Sequence, residues 1–149
     1  CPLDSPVRVM RFGDVQLSSS FLASCPLALS SAMYVHQRAA PAAEQIMGSR
    51  LTRIDHVGSY ACRNIYNREQ GRRSEHATAD ALDISAFRFA NGQHLTVRKE
   101  WNESGARGEV MRELFNQSCN FYGNSLGPEY NAAHADHFHL GMRGFGLCR

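Results

Sequence analysis

A chain of 149 residues, 43% hydrophobic and 20% charged, describes one soluble globular domain, long enough to bury a continuous core without depending on crosslinks. No apolar run approaches membrane-spanning length, and a formal charge of +2 is too small to argue for nucleic acid. Cys1, Cys25, Cys62, Cys119 and Cys148 are widely spread with no C-x-x-C pair. Disulfides are therefore the better reading than a structural zinc or a redox motif, and they imply an oxidising compartment, periplasmic or secreted. The first pairing expected is Cys119 with Cys148 and Cys1 with Cys25, which leaves Cys62 as a small buried hydrophobe. The opening Cys1-Pro2-Leu3 has neither a basic start nor an apolar run, so the chain is expected to have lost a leader or to be a domain of a longer protein.

From the start, V-R-V-M-R-F-G-D-V-Q-L reads as two short strands turning at Gly13-Asp14, with Ser18 to Ser20 breaking the pattern. From Pro26 the spacing is helical, with Leu27, Tyr34 and Val35 on a buried face. Pro41 is expected to kink or restart this helix and Gly48 to end it, while His36 takes an ordinary surface or capping role. L-T-R-I-D-H-V-G-S-Y is a strand. Asn64 to Arg73 is polar and basic around Gly71, an exposed loop in which Arg72 and Arg73 are either solvated or placed to meet the negative groups of a ligand. Asn91-Gly92 between β-rich runs is the strongest hairpin signal. Trp101 is expected in the core or a cleft wall. Val110, Met111, Leu114 and Phe115 recur at helical spacing within Gly108 to Cys119. The Gly123 and Gly127-Pro128 turns then lead to Tyr130, at the border of a cleft.

Chemistry concentrates in two remote runs, S-E-H-A-T-A-D-A-L-D at Ser74 to Asp83 and H-A-D-H-F-H at His134 to His139. A catalytic zinc takes three protein ligands from imidazole nitrogen and carboxylate oxygen and keeps a fourth position for water. The His76-to-Asp83 spacing suits a loop running into a strand, with Asp83 pointing inward from the strand's start. His137 and His139 are two apart and face one side of an extended strand. One can bind metal while the other handles a proton. The H-x₆-D spacing alone is weak, and three histidines in six residues are a stronger signal for which a surface His-rich turn is the bland alternative; together they point to zinc. Ser74 holds substrate or orients the ligand loop, and Glu75 and Asp80 are surface or supporting carboxylates.

The pattern S-x-H-x-x-[small]-x-A-x-D followed by H-x-x-H-x-H resembles the lysostaphin, D-Ala-D-Ala metallopeptidase and hedgehog group, nearest in ligand pattern to the penicillin-insensitive murein endopeptidases and zinc D-Ala-D-Ala carboxypeptidases. Across nearly the whole chain, C-P-L-A-L at Cys25 to Leu29, G-S-Y-A-C-R at Gly58 to Arg63, L-G-P-E-Y-N at Leu126 to Asn131 and Cys148-Arg149 are similar to the bacterial extensin-like C-terminal domain family. The resemblance implies His76, Asp83 and His139 as zinc ligands, with His137 and His134 as acid/base residues. It also implies a substrate-contacting arginine on the strand before the metal loop, for which Arg63 is the match; the bland alternative is a surface salt bridge. Ala79 stands where the peptidases usually carry Gly, so the loop is expected to avoid a conformation open only to glycine.

The expected architecture is α+β: an antiparallel sheet of about four main strands with packed helices, like the D-Ala-D-Ala metallopeptidases and hedgehog, and the site on the open sheet face. The expected activity is zinc-dependent hydrolysis of a peptide bond in the stem or crosslink of peptidoglycan, suited to wall remodelling or to a secreted antibacterial effector. Asp136 competes with His137 as base, but a strand turns it away from the face that His137 and His139 share, so His137 ranks first. His134 would stabilise the tetrahedral intermediate or protonate the departing amine. The alternative is a noncatalytic domain that keeps zinc for stability and binds wall or a partner.

Overall fold

The computed structural model describes residues 1–149. Strands β1 (Val7–Phe12) and β2 (Val15–Ala23) form the expected hairpin, with Gly13 at φ 58 supplying the left-handed turn residue. Ser18 to Ser20 do not break β2, which runs on to Ala23. The Ser18 hydroxyl accepts the His56 backbone N–H and Ser20 accepts from Arg8, so these small polar residues are used rather than merely tolerated.

Ser24 caps α1 (Cys25–Tyr34), its Oγ accepting from Leu27 N. A π-helical turn at Val35–Ala39 joins it to α2 (Ala40–Met47), which carries Pro41 in its first turn and ends at Gly48, φ 65. Proline has no N–H to donate, and the widened turn before it absorbs the missing bond. β3 (Leu51–His56) lies parallel to β2, which is possible because α1 and α2 make the long crossover that a parallel pair requires.

β4 (Ala81–Phe89) is the central strand. It pairs antiparallel with β3 along one edge. On the other edge β7 (Phe138–Gly141) takes Ala81 to Ile84, and β5 (His94–Thr96) takes Ala86 to Arg88 after the Asn91-Gly92 turn. α3 (Val97–Glu100), α4 (Gly105–Ser118) and β6 (Asn124–Leu126), which pairs with β7, complete the order β1-β2-β3-β4-β7-β6. The α+β class stands, but the sheet is mixed and seven-stranded rather than antiparallel with about four strands. β5 and β6 have three residues each, too short for a period-2 pattern to register.

A single cluster of 26 buried residues fills the space between the helices and one face of the sheet, including Tyr34, Ile54, Leu82, Ile84, Phe87 and Phe138. Two buried tyrosine hydroxyls are satisfied: Tyr34 donates to the Leu114 carbonyl and Tyr122 to Ser31 Oγ. Trp101 sits in this core, edge-on to Phe115 and Phe138, with its indole N–H on Glu129. No helix is long and apolar enough to cross a membrane.

Cys119 and Cys148 are bonded, as expected, but Cys1 pairs with Cys62 and Cys25 is the free, exposed thiol. Sequence proximity favoured Cys25, yet the fold brings Cys1 to the segment after β3, where Tyr60 Oη donates to the Cys1 carbonyl.

Candidate metal centre

The site is assembled by one tight turn and one pair of strands. Ser74 caps a 3₁₀ turn (Glu75–Thr78), its Oγ accepting from His76 N, and Ala79 closes the turn before β4 begins. Ala79 does adopt the left-handed conformation, φ 56 and ψ 36. That conformation favours glycine but is open to alanine at a cost of roughly 1–2 kcal/mol, so the substitution strains the loop without redirecting it. Asp83 and His139 are direct cross-strand partners on β4 and β7. Their neighbours Ile84 and Phe138 point into the core, so the period of two turns Asp83 and His139 to the open face.

Here His76, Asp83 and His139 come together, one ligand atom from each lying within 4.8 Å of the others. His76 Nε2 is 3.2 Å from Asp83 Oδ2, and His139 Nδ1 is 3.2 Å from Asp83 Oδ1. A tetrahedral cation about 2.0–2.1 Å from each ligand spaces ligand atoms by about 3.3 Å, so the set fits one ion. The remaining ring nitrogens fix the tautomers. His76 Nδ1 donates to the Ser59 carbonyl at 2.7 Å, which leaves the lone pair of the neutral ring on Nε2, facing a carboxylate that can only accept. Two acceptors face each other there, and a cation between them resolves the conflict.

His139 Nε2 lies 3.0 Å from Glu75 Oε1, which holds the ring by its far side, as carboxylates commonly hold metal-binding histidines. Glu75 is itself buried and receives Asn124 Nδ2 and the Arg143 N–H. It is thus a supporting residue, not a surface one. Its only sequence signal is adjacency to His76; Asn124 and Arg143 give none. Gly141 makes room for it, since a Cβ there would sit 2.4 and 2.5 Å from the two carboxylate oxygens.

The charges follow from these contacts. Burial would raise the Asp83 carboxyl, but the hydrogen bond from His139 and the adjacent His76 ring outweigh it and hold the group well below the usual carboxylate range. Glu75 is likewise lowered, burial losing to its bonds with His139, Arg143 and Asn124. His139 is disfavoured as a cation by burial, yet Asp83 and Glu75 push it up to about 9 when no metal is bound. His134 goes the other way, to about 4, because it is buried and lies beside His137 and His139.

His137 precedes β7, with Nε2 3.9 Å from Asp83 Oδ1. Its Nδ1 donates to Asp136 Oδ1 at 2.9 Å, so the exposed Asp136 acts on His137 rather than reaching the cleft floor. His134, in a 3₁₀ turn (Ala132–His134), pairs through Nδ1 with Asn131 Oδ1 at 2.6 Å, and Asn131 Nδ2 reaches Tyr66 Oη at 2.8 Å. Asn131 ends the L-G-P-E-Y-N run, and its three-residue spacing before a histidine in a turn permits that contact.

All these histidines line a cleft of about 470 Å³ that Tyr130 also borders. Ser74 lines it too, with its hydroxyl committed to the His76 N–H. Arg63 lies in the cleft wall, but on a loop and not on a strand, because β3 ends at His56. Its Nη1 contacts the Asn64 carbonyl at 3.4 Å, and it makes no salt bridge. Of the exposed large apolar side chains, Ile65, Tyr66, Tyr130, Phe145 and Leu147 all stand on this rim.

No curated protein and no solved structure matches the chain. A family does: the one described as Extensin-like protein C-terminus matches residues 1–149, and the chain belongs to it.

Proposed function

We propose that this domain is a zinc-dependent hydrolase of peptide bonds in the stem or crosslink of bacterial peptidoglycan, working in the periplasm or outside the cell. What supports the reading is the group His76, Asp83 and His139 on the floor of a cleft, with His137 beside it and no protein hydrogen bond on its cleft-facing nitrogen. The resemblance of the ligand pattern to murein endopeptidases supports the substrate class, and two disulfides fit an oxidising compartment.

His76 Nε2, Asp83 and His139 Nδ1 would hold the ion, and Glu75 and the Ser59 carbonyl would keep the two rings in the ligating tautomers. A bound zinc supplies Lewis acidity toward a peptide carbonyl and lowers the pKa of water toward neutrality. Because Asp136 takes the His137 Nδ1 proton in a hydrogen bond, Nε2 is the free base: it accepts a proton from the attacking water and returns it to the departing amine. Asp136 favours the imidazolium formed in between. His134, donating from Nδ1 to Asn131, presents Nε2 as an acceptor that can hold the N–H of that amine.

The test is digestion of purified sacculi with and without chelator, with mass spectrometry of the released fragments. Soluble muropeptides cut at one peptide bond, lost on chelation and restored by zinc, are expected. Zinc binding without any released fragment would replace the hydrolase by a noncatalytic, zinc-stabilised wall-binding domain.

A further inference from the structure

Beside the cleft lies a second pocket of about 290 Å³, built by the loop that follows β3. The loop folds back on itself: Asn64 pairs with Arg73 as an isolated bridge, and Asn64 Nδ2 donates to the carbonyls of Arg68 and Glu69. Arg63, Arg68 and Arg73 line the pocket against one acidic side chain, Glu69, and Arg63 and Asn67 also line the cleft, so the two spaces adjoin.

The three guanidinium groups are held by neutral partners. Arg73 Nη1 contacts the sulfurs of the Cys1–Cys62 disulfide at 2.9 and 3.4 Å, Arg63 points at the Asn64 carbonyl, and Arg68 lies over the Tyr66 ring at 5.8 Å. No carboxylate comes within 4 Å of any of them, so in this pocket three cations gather with Glu69 as the one acidic side chain in its lining. Carbonyl, sulfur and ring contacts orient a guanidinium without neutralising it. Strain accompanies the arrangement, since Tyr66 and Asn67 are consecutive non-glycine residues at φ 57 and 58, and such strain collects at ligand sites.

We infer that Arg68 and Arg73, with Arg63 at the shared wall, form a subsite for a free carboxylate of the peptide whose backbone lies in the cleft. A guanidinium receives a carboxylate through two parallel hydrogen bonds, and its planar fork distinguishes that group from an amide of the same shape. This rests on the peptidoglycan reading and narrows it: the preferred substrate is a stem peptide with an unamidated carboxyl close to the cut bond.

The experiment uses the zinc-loaded His137→Ala chain, so that the probe is not consumed. It is titrated with N-acetyl-D-alanyl-D-alanine and with the same dipeptide as its C-terminal amide, following the arginine Nε–Hε resonances. The free acid is expected to shift the signals of Arg68 and Arg73 and to bind about tenfold more tightly than the amide. Each of Arg68→Gln and Arg73→Gln reduces that preference by about threefold, as befits exposed pairs, and Arg73→Lys retains part of it. Equal affinity for acid and amide, or a preference that survives the double glutamine variant, would overturn the subsite while leaving hydrolysis of sacculi untouched. A preserved preference in a protein that releases nothing from sacculi would overturn the hydrolase reading instead.

Discussion

Two aspartates on neighbouring strands are almost equally buried, with side-chain exposures of 15% for Asp55 on β3 and 14% for Asp83 on β4. Asp55 is ringed by Arg53 at 2.8 Å, Arg88 at 3.1 Å and His94 at 3.5 Å, all with side chains more than 40% exposed. Asp83 is ringed by His76, His137 and His139, whose side chains are between 5 and 17% exposed. Guanidinium groups are permanently charged and neutralise Asp55 outright. Imidazoles around Asp83 can each offer a lone pair when neutral, so a carboxylate of the same burial could share a cation with them. Burial does not separate an ion-pair network from a metal site; the chemistry of the neighbours does.

Substitution at the two aspartates gives the largest contrast. Asp83→Asn, like His76→Ala or His139→Ala, is expected to weaken zinc binding by more than about a hundredfold in chelator competition. Asp55→Asn should leave it unchanged and alter stability by about 1 kcal/mol or less in urea unfolding. Comparable zinc loss in both asparagine variants would erase the distinction. Next in size, His137→Ala should retain full zinc content and lose at least about a hundredfold in the rate of muropeptide release. Equal digestion by this variant and the parent chain would remove His137 from the role of base.

Glu75→Gln sharpens the comparison further, because Asp55 has no counterpart to this buried support. Zinc affinity is expected to fall about tenfold to a hundredfold. Gly141→Ala should move it in the same direction, since the added methyl meets the Glu75 carboxylate. Unchanged affinity in both would show that His139 orients itself.

The smallest effect is a pH profile of the metal-free protein. His139, raised to about 9, contributes stability that is complete below pH 6.5 and is lost as pH rises toward 9. His134, lowered to about 4, contributes stability that is complete above pH 6.5 and is lost as pH falls toward 4. Denaturant midpoints should therefore peak near pH 6.5. Zinc should abolish the alkaline decline, because the ligated His139 no longer carries the proton. A flat profile between pH 6.5 and 9 without metal would contradict this.

Local features of the fold are written plainly in the sequence. The turns at Gly13-Asp14 and Asn91-Gly92 and the apolar face of α4 each rest on a few adjacent residues. Long-range features are not. β6 is recognisable only because β7 is there to pair with it, and the parallel β2–β3 contact depends on a crossover of two helices. Cys62 finds Cys1 through the path of the loop after β3, which no spacing rule encodes. At the site, the alternation in H-F-H turns His137 and His139 the same way, and the H-x₆-D spacing resolves into a turn and a strand. For Glu75 the sequence leaves a surface and a supporting role open, and the approach of Asn124 and Arg143, which buries it, decides for the second.

Zinc K-edge X-ray absorption of the loaded protein would report whether His76, Asp83 and His139 hold one divalent cation with a coordination position left over. One zinc per chain is expected, with four nitrogen and oxygen neighbours at about 2.0–2.1 Å, two of them imidazoles and one a solvent oxygen. A sulfur neighbour at about 2.3 Å, a sphere closed by four protein ligands, or no retained zinc would contradict it.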